Sequence, residues 1–209
     1  LMHSENLWYK TKFLEEYISK TNTNHFKTIV EIGARDCQES LAFTKLFPNA
    51  HVYSFECNPR LLDLCRFNAA KSDRITLIEK CVTDNPSNHT FYLKRPYHHY
   101  DEGVASLCEP WFDYETIQVD TIRMDQFLQD ITVDLLWIDV QGAECQVLNS
   151  FGPKLNQVDL IYCEVDVKQR YMTYSNEYNV IKQLSNFTLK DKLQLNPNES
   201  HLIFRRNLT

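Results

Sequence analysis

Apolar residues recur along the chain with two alternating spacings. Short, mostly β-branched apolar runs predict buried strands, and they lie at residues 27–32, 51–56, 74–81, 133–140 and 158–165. Apolar residues three and four positions apart predict helices between these runs, at 38–47, 58–67 and about 143–152. Strands of nearly continuous apolar character are typical of parallel sheets covered by helices on both faces.

The alternating order of strands and helices predicts an α/β fold with a doubly wound, mostly parallel, seven-stranded Rossmann-like sheet. Near the end of the chain, a predicted helix at 179–184 precedes two strand candidates at 188–195 and 201–206. The intervening Asn196-Pro197-Asn198 is a turn signal. We therefore expect the sheet to end in a C-terminal antiparallel hairpin.

Two regions depart from this alternation. Residues 4–20 carry helically spaced apolar positions before a polar stretch, so we predict an N-terminal helix and linker over 1–24 and a single domain over 25–209. Within that domain we predict an insertion at about 94–118, because residues 98–114 show no clear periodicity. An irregular segment of this length in a compact domain is usually functional or mobile.

Composition narrows the partners that the chain can take. Among 209 residues, 22 Lys and Arg stand against 28 Asp and Glu, giving a net charge of −6. This balance disfavours a nucleic-acid substrate, although a local basic groove would still allow one. No run approaches the roughly 20 apolar residues that span a bilayer. Seven cysteines without CxxC spacing or a secretory leader predict free thiols and a cytoplasmic location.

A nucleotide site is predicted where the first two strands end. Gly33 follows the first strand, and Glu56 ends the second strand 23 residues later. A carboxylate about 20 residues after the turn glycine is typical of ribose binding in such folds. Arg35 and Gln38 stand where a dinucleotide fingerprint has its later glycines, which disfavours a pyrophosphate and therefore NAD. S-adenosylmethionine has a ribose but no pyrophosphate, and it fits this pattern.

We expect the cofactor to be held by residues at the carboxyl ends of the predicted strands and in the turns that follow. These are Glu31, Gly33, Ala34, Arg35, Ser40, Glu56, Cys57, Asn58, Val82, Asp84 and Asp139. For Asp84, a capping or turn role is an equally good interpretation.

Several segments together resemble the FkbM family of methyltransferases. They are the runs VEIGARDCQES, YSFECNPRLLDLCRFNAA, VDLLWIDVQGAECQVLNSFG and LIYCEVD, in this order within residues 28–206. The segment from Trp137 to Glu144 matches the family's K-I-D-V-E-G-x-E type of motif, with Trp137 where lysine is frequent and Gln141 where glutamate is frequent. Residues 103–107 resemble the family's G-x-x-S-L segment. The resemblance implies a class I fold and S-adenosylmethionine-dependent O-methyl transfer to sugars or polyketide-type natural products.

Candidate catalytic residues are Asp139, Glu164, His98 and His99. Asp139 and Glu164 end very apolar strands, where a carboxylate is costly unless it has partners or a task. Asp139 could orient the ammonium group of the cofactor or accept the proton of the acceptor hydroxyl, and Glu164 could instead pair with a neighbouring base. The two histidines lie in an aromatic, basic loop that suits a sugar acceptor and a general base.

We expect a small-molecule or saccharide acceptor to contact Ser106, Trp137, Gln141 and Glu144, although Glu144 could instead serve only to complement a helix dipole. No dense ligand motif is present, so no metal is predicted, although Asp139, Glu144 and Glu164 could supply oxygen ligands. Two other functions stay open. One is a nucleic-acid 2′-O-methyltransferase domain of a larger protein, and the other is a catalytically silent cofactor-binding scaffold.

Overall fold

The computed structural model describes residues 2–21, 23–87, 89–95 and 102–207. Its α-helices are α1 Met2–Ile18, α2 Gln38–Leu46, α3 Leu62–Ala69, α4 Met124–Leu128, α5 Glu144–Ser150 and α6 Glu177–Gln183. Its strands are β1 Thr28–Ile32, β2 His51–Phe55, β3 Ile75–Ile78, β4 Cys81–Val82, β5 His89–Lys94, β6 Tyr114–Val119, β7 Thr121–Ile122, β8 Leu135–Ile138, β9 Leu160–Asp166, β10 Phe187–Asn196 and β11 Glu199–Arg206.

Seven of these strands form one sheet in the order β10-β11-β9-β8-β1-β2-β3. The pairs from β9 across to β3 are parallel, and β11 runs antiparallel to both β9 and β10. The predicted α/β class, the mostly parallel seven-stranded sheet and the C-terminal antiparallel hairpin are therefore confirmed. The chain order reverses between β1 and β8, which makes their carboxyl ends the expected place for a ligand.

Alternate residues of the strands face two separate apolar layers. On one face, Trp137 and Tyr162 pack with Leu14 of α1 and Phe43 of α2. On the other face, a cluster that includes Ile138 packs against α4, α5 and α6. Because side chains alternate along a strand, Asp139 and Glu164 continue the rows of Trp137 and Tyr162 and point towards the α1 face.

Two elements differ from the prediction. Residues His89–Lys94 and Tyr114–Val119 pair as an antiparallel ribbon, so the predicted insertion leaves from the ends of two strands that the periodicity did not reveal. Helix α3 begins at Leu62 and not after Asn58. The cause is local: residues 56–61 form a turn in which the Glu56 carboxylate accepts backbone N–H groups.

Gly33 lies at the closest approach between β1 and β8. Its φ of +85° lies in the left-handed region, and a Cβ at this position would meet the Asp139 carbonyl oxygen at 1.9 Å. The backbone N–H groups of Gly33 and Ala34 both donate to the Phe55 carbonyl oxygen, and the Asp139 N–H donates to the Ile32 carbonyl oxygen. These contacts hold the ends of β1, β2 and β8 together.

All seven cysteines are free thiols. Among the helices of the described residues, none combines the length and apolar character that crossing a membrane requires.

Candidate functional site

A cleft opens at the carboxyl edge of the sheet, beyond the ends of β1 and β8. The space between its walls, counted with the open mouth, is about 990 Å³. Two groups of side chains line it. One lies at the ends of β1 and β2 and surrounds Glu56, and the other lies at the ends of β8 and β9 and surrounds Asp139.

Glu56 is fixed at the centre of the first group. Its carboxylate accepts hydrogen bonds from the backbone N–H groups of Arg35 at 2.8 Å, Cys57 at 2.8 Å and Asn58 at 2.7 Å. Burial raises the pKa of Glu56, and these three donors counter that effect. A carboxylate held in one orientation on the wall of the cleft is suited to accept hydroxyl groups of a ribose.

Apolar side chains form the wall beside Glu56. Ile32, Phe55, Leu61, Val82 and Phe91 all line this part of the cleft. Apolar side chains next to a fixed carboxylate can hold a nucleoside, with the base against the apolar wall and the ribose at the carboxylate. The residues of this half therefore fit the nucleoside part of S-adenosylmethionine.

Asp139 and Gln141 begin the second group. The Gln141 amide donates to Asp139 Oδ1 at 2.7 Å and to Glu164 Oε1 at 3.2 Å. Gln141 has a φ of +55°, a left-handed conformation that is uncommon for residues other than glycine and is often found at functional sites. The turn after β8 thus directs one amide at two carboxylates.

Helix α1 places an ammonium group between the same two carboxylates. Lys10 Nζ lies 2.7 Å from Asp139 Oδ2 and 2.6 Å from Glu164 Oε2, and its side chain is only 11% exposed. Burial alone would lower the pKa of Lys10, but Asp139 and Glu164 outweigh it and hold that pKa well above its usual value. For Asp139, burial would raise the pKa, but Lys10 and Gln141 outweigh it and hold that pKa below its usual range.

Arg170 and Glu199 complete this end of the cleft. Arg170 donates to Gln141 Oε1 at 3.1 Å and through its Nε to Asp166 Oδ1 at 2.7 Å. Burial, followed by the nearby Glu164, raises the pKa of Glu199 to about 7. This end of the cleft thus combines the two cations Lys10 and Arg170 with the carboxyl groups of Asp139, Glu164 and Glu199.

The structure divides the predicted cofactor residues into two sets. Gly33, Arg35, Glu56, Cys57, Asn58, Val82 and Asp139 line the cleft. Glu31, Ala34, Ser40 and Asp84 lie elsewhere: Ser40 donates to the buried Glu31 carboxylate behind the sheet edge, Ala34 packs on Cys37 and Cys65, and Asp84 accepts from Asn149. Position at a strand end is not enough, because alternate side chains turn away from the cleft.

The predicted substrate residues are distributed in the same way. Gln141 lines the cleft, whereas Trp137 is buried in the core with its ring stacked on Tyr162 at 3.5 Å. Ser106 donates to the Gln141 carbonyl at 2.7 Å and supports that turn from behind. Glu144 accepts from the Gly142 N–H at 2.9 Å, and burial raises its pKa to about 8. Trp137, Ser106 and Glu144 therefore shape the site without lining it.

Among the predicted catalytic residues, Asp139 and Glu164 meet in the cleft, while His98 and His99 lie outside the described residues. The sequence interpretation missed Lys10, Arg170 and Glu199. Lys10 did carry a signal, since it precedes the buried Phe13 and Leu14 by three and four positions and so shares their helix face.

One group of side chains could bring ligand atoms to a metal ion. Atoms of Glu164, Glu199 and His201 lie within 4.8 Å of one another. The Lys10 ammonium already contacts the Glu164 carboxylate of this group, so a cation of the protein itself supplies the positive charge there. The prediction that no metal is used stays a prediction.

Comparison with known proteins gives one family match and one curated relative. The model described as the methyltransferase FkbM domain matches residues 31–192. The 2-O-methyltransferase NoeI of Sinorhizobium fredii is 28% identical in an alignment of 163 positions, and the alignment covers 68% of this chain and 65% of that protein. The aligned part thus spans slightly less than two thirds of the relative.

Solved structures share the fold at low sequence identity. Precorrin-6y C5,15-methyltransferase from Geobacter metallireducens has a TM-score of 0.54 and 12% identity, over 91% of this chain and 85% of that one. TrmK from M. capricolum, solved with S-adenosyl-homocysteine, has a TM-score of 0.55 and 12% identity, over 97% of this chain and 68% of that one. At such identities the likeness establishes the fold alone.

Proposed function

Because the chain belongs to the FkbM methyltransferase family, we propose that it is an S-adenosylmethionine-dependent O-methyltransferase whose acceptor is a hydroxyl group of a sugar or natural-product-like molecule. The observation that carries this proposal is one cleft with two ends. A nucleoside fits against Glu56, and Asp139 and Glu164 converge at the other end.

When bound, S-adenosylmethionine supplies a methyl group on a positively charged sulfur. The acceptor oxygen forms its bond to the methyl carbon as the carbon–sulfur bond breaks, and the hydroxyl proton must leave. The protein contributes chiefly alignment of the two partners and a partner for that proton. Glu56 orients the ribose, and the carboxylates of Asp139 and Glu164 accept the acceptor hydroxyl as a hydrogen-bond donor.

Three observations favour an oxygen acceptor on a neutral molecule. The curated relative is named a 2-O-methyltransferase. Carboxylates and an amide line the reacting end, and such groups recognise hydroxyl hydrogens. The chain also carries a net charge of −6, which counts against a phosphate-rich acceptor.

The test is transfer of labelled methyl from S-adenosylmethionine to a panel of oligosaccharides, hydroxylated natural products and RNA. We expect label on a sugar or natural-product hydroxyl, with Asp139→Asn slower by on the order of 100-fold. An exposed variant, Asp63→Asn, should retain the wild-type rate.

Each other result has a distinct meaning. Label on RNA alone would replace the proposed acceptor with a nucleic-acid 2′-hydroxyl. Cofactor binding without transfer to any member of a broad panel would favour a catalytically silent scaffold.

A further inference from the structure

Lys10 reaches the candidate site from outside the part of the chain that defines the family. The family match begins at residue 31, and Lys10 lies on α1, 129 residues away from Asp139 in the sequence. Its ammonium is nevertheless one of the groups that line the cleft. The packing of α1 brings Lys10 to the cleft. Leu14 is fully buried, and the Phe13 ring meets the Tyr162 ring edge-on with 6.5 Å between the ring centroids.

The charges around Lys10 explain what its ammonium does. Glu164 is buried and Asp139 is partly buried, with side chains 5% and 18% exposed. The Gln141 amide contacts one oxygen of each carboxylate. Two like charges this close in a buried site disfavour each other, so that one carboxyl group tends to stay protonated. The Lys10 ammonium contacts the other oxygen of each carboxylate and offsets that repulsion.

We propose that Lys10 is a positioning residue of the reacting site, whose ammonium keeps Asp139 and Glu164 side by side as carboxylates where the acceptor hydroxyl loses its proton. This inference rests on the proposed methyl transfer. Lys10 acts through the two carboxylates and does not itself take the proton. Helix α1 therefore contributes to the site by holding Lys10 against Asp139 and Glu164.

The other titratable groups that face this cluster set the background for its titration. They are Glu39, Glu56, Glu144, Tyr162, Asp166, Arg170, Glu199 and His201. Arg170 is the second cation, and its guanidinium donates to Gln141 Oε1 and to Asp166. Tyr162 and His201 are paired with each other at 2.7 Å. Burial lowers the pKa of His201, so this histidine is neutral near pH 7 and does not replace Lys10 as the local cation.

The main experiment is the pH–rate profile of methyl transfer for wild type, Lys10→Met and Lys10→Arg. Without the ammonium, the carboxylate pair holds a proton to higher pH. We expect the rising limb of kcat in Lys10→Met to move up by more than one pH unit, so that the loss of kcat relative to wild type grows to at least tenfold as the pH falls through this limb. Lys10→Arg retains the positive charge, so the rising limb of its kcat profile should lie within about half a pH unit of that of wild type. Lys12→Met, an exposed position on the same helix, should behave as wild type.

A second readout does not need turnover. Infrared spectra of the intact protein distinguish protonated carboxyl groups from carboxylates. Glu199 and Glu144, whose pKa values are about 7 and about 8, give carboxyl bands near pH 7 in every variant, so the spectra are compared as differences. We expect Lys10→Met to show carboxyl absorption in excess of wild type, and the double variant Lys10→Met/Glu164→Gln, in which the repelling pair is gone, to lose that excess.

The outcomes separate this inference from the proposed function. A Lys10→Met protein with a wild-type pH profile and no excess carboxyl absorption would overturn the role of Lys10. If Lys10→Met does not fold, Lys10→Arg serves in its place. A rising limb of kcat more than one pH unit above that of wild type in folded Lys10→Arg would also overturn the role of Lys10. A wild type that transfers methyl to no acceptor would contradict the proposed function, and the infrared comparison would then decide the role of Lys10 alone.

Discussion

At the scale of single residues, Gly33 is the position where backbone geometry leaves least freedom. It has a φ of +85°, and a Cβ added to it would lie 1.9 Å from the Asp139 carbonyl oxygen. We expect Gly33→Ala to lower the free energy of unfolding by on the order of 3 kcal/mol, because the strain of positive φ adds to a backbone clash. Urea unfolding measures this. Gly103→Ala, at a glycine outside the positive-φ region, should cost less, and equal losses would contradict the account.

Glu144 makes a pH-dependent contribution to stability. Burial raises its pKa to about 8, so between about pH 4.5 and pH 8 the folded state binds a proton that the unfolded chain has released. Folding is therefore favoured at the lower pH, and stability falls as pH rises through this window.

At each pH, the free energy of unfolding of Glu144→Gln is compared with that of wild type. We expect this difference to favour the variant more at pH 8 than at pH 5. The measurement is urea unfolding at both values. Other buried carboxyl groups with raised pKa values, such as Glu31, still make the free energy of unfolding of the variant fall as pH rises. An unchanged difference between the two pH values would show that Glu144 titrates normally.

At the scale of elements, helix α1 joins the apolar layer of the sheet to the reacting site. Leu14 is fully buried in that layer, and Lys10 lies one helical turn before it, over Asp139 and Glu164. Loosening the helix should therefore affect chemistry more than cofactor binding, since Glu56 and its backbone donors lie at the ends of β1 and β2.

We expect Leu14→Ala to cost about 2–5 kcal/mol of stability and to lower kcat several-fold, with little change in affinity for S-adenosylhomocysteine. The matched control is Leu184→Ala, which is equally buried but lies in the layer on the other face of the sheet. It should lose similar stability with kcat retained. Equal effects of both variants on kcat would contradict the assignment of α1 to the site.

The elements also show how far the sequence could be interpreted. Strands β1, β8 and β9 are buried along almost their whole length, so their continuous apolar runs predicted them well. Strand β5 alternates buried and half-buried positions only in its second half, and β6 is half-buried or exposed at every position except Val119. This weaker pattern, next to a long insertion, was missed. The start of α3 was misplaced. The Asn58 side chain does accept the Arg60 N–H, but residues 56–61 form a turn around the Glu56 carboxylate and the helix begins only at Leu62.

The same limit applies to the site. Glu56 and Asp139 could be predicted because a strand end fixes where a side chain lies in this fold. For Lys10 the spacing to Phe13 and Leu14 indicates the helix face but not the partners. These lie 129 and 154 residues away in the sequence, and only the packing of α1 determines that they meet. Trp137 was placed in the substrate site by its motif position, yet the alternation of β8 turns it towards the aromatic core.

At the scale of the whole molecule, the fold gathers distant parts of the chain at one edge of the sheet. The nucleoside end of the cleft is built from β1, β2 and the turns that follow them, and the reacting end from α1, the turn after β8, β9 and β11. This division predicts that cofactor binding and methyl transfer can be impaired separately. The central claim is that the first end binds S-adenosylmethionine at Glu56.

The most direct test is calorimetric titration of the intact protein with S-adenosylhomocysteine, S-adenosylmethionine and NAD. We expect micromolar binding of both sulfur nucleosides and none of NAD. Glu56→Ala should weaken the binding about 100-fold, roughly 2.7 kcal/mol, while the exposed control Glu16→Ala should bind as wild type does. Failure of the folded wild-type protein to bind either sulfur nucleoside, or equal binding by Glu56→Ala, would contradict the account.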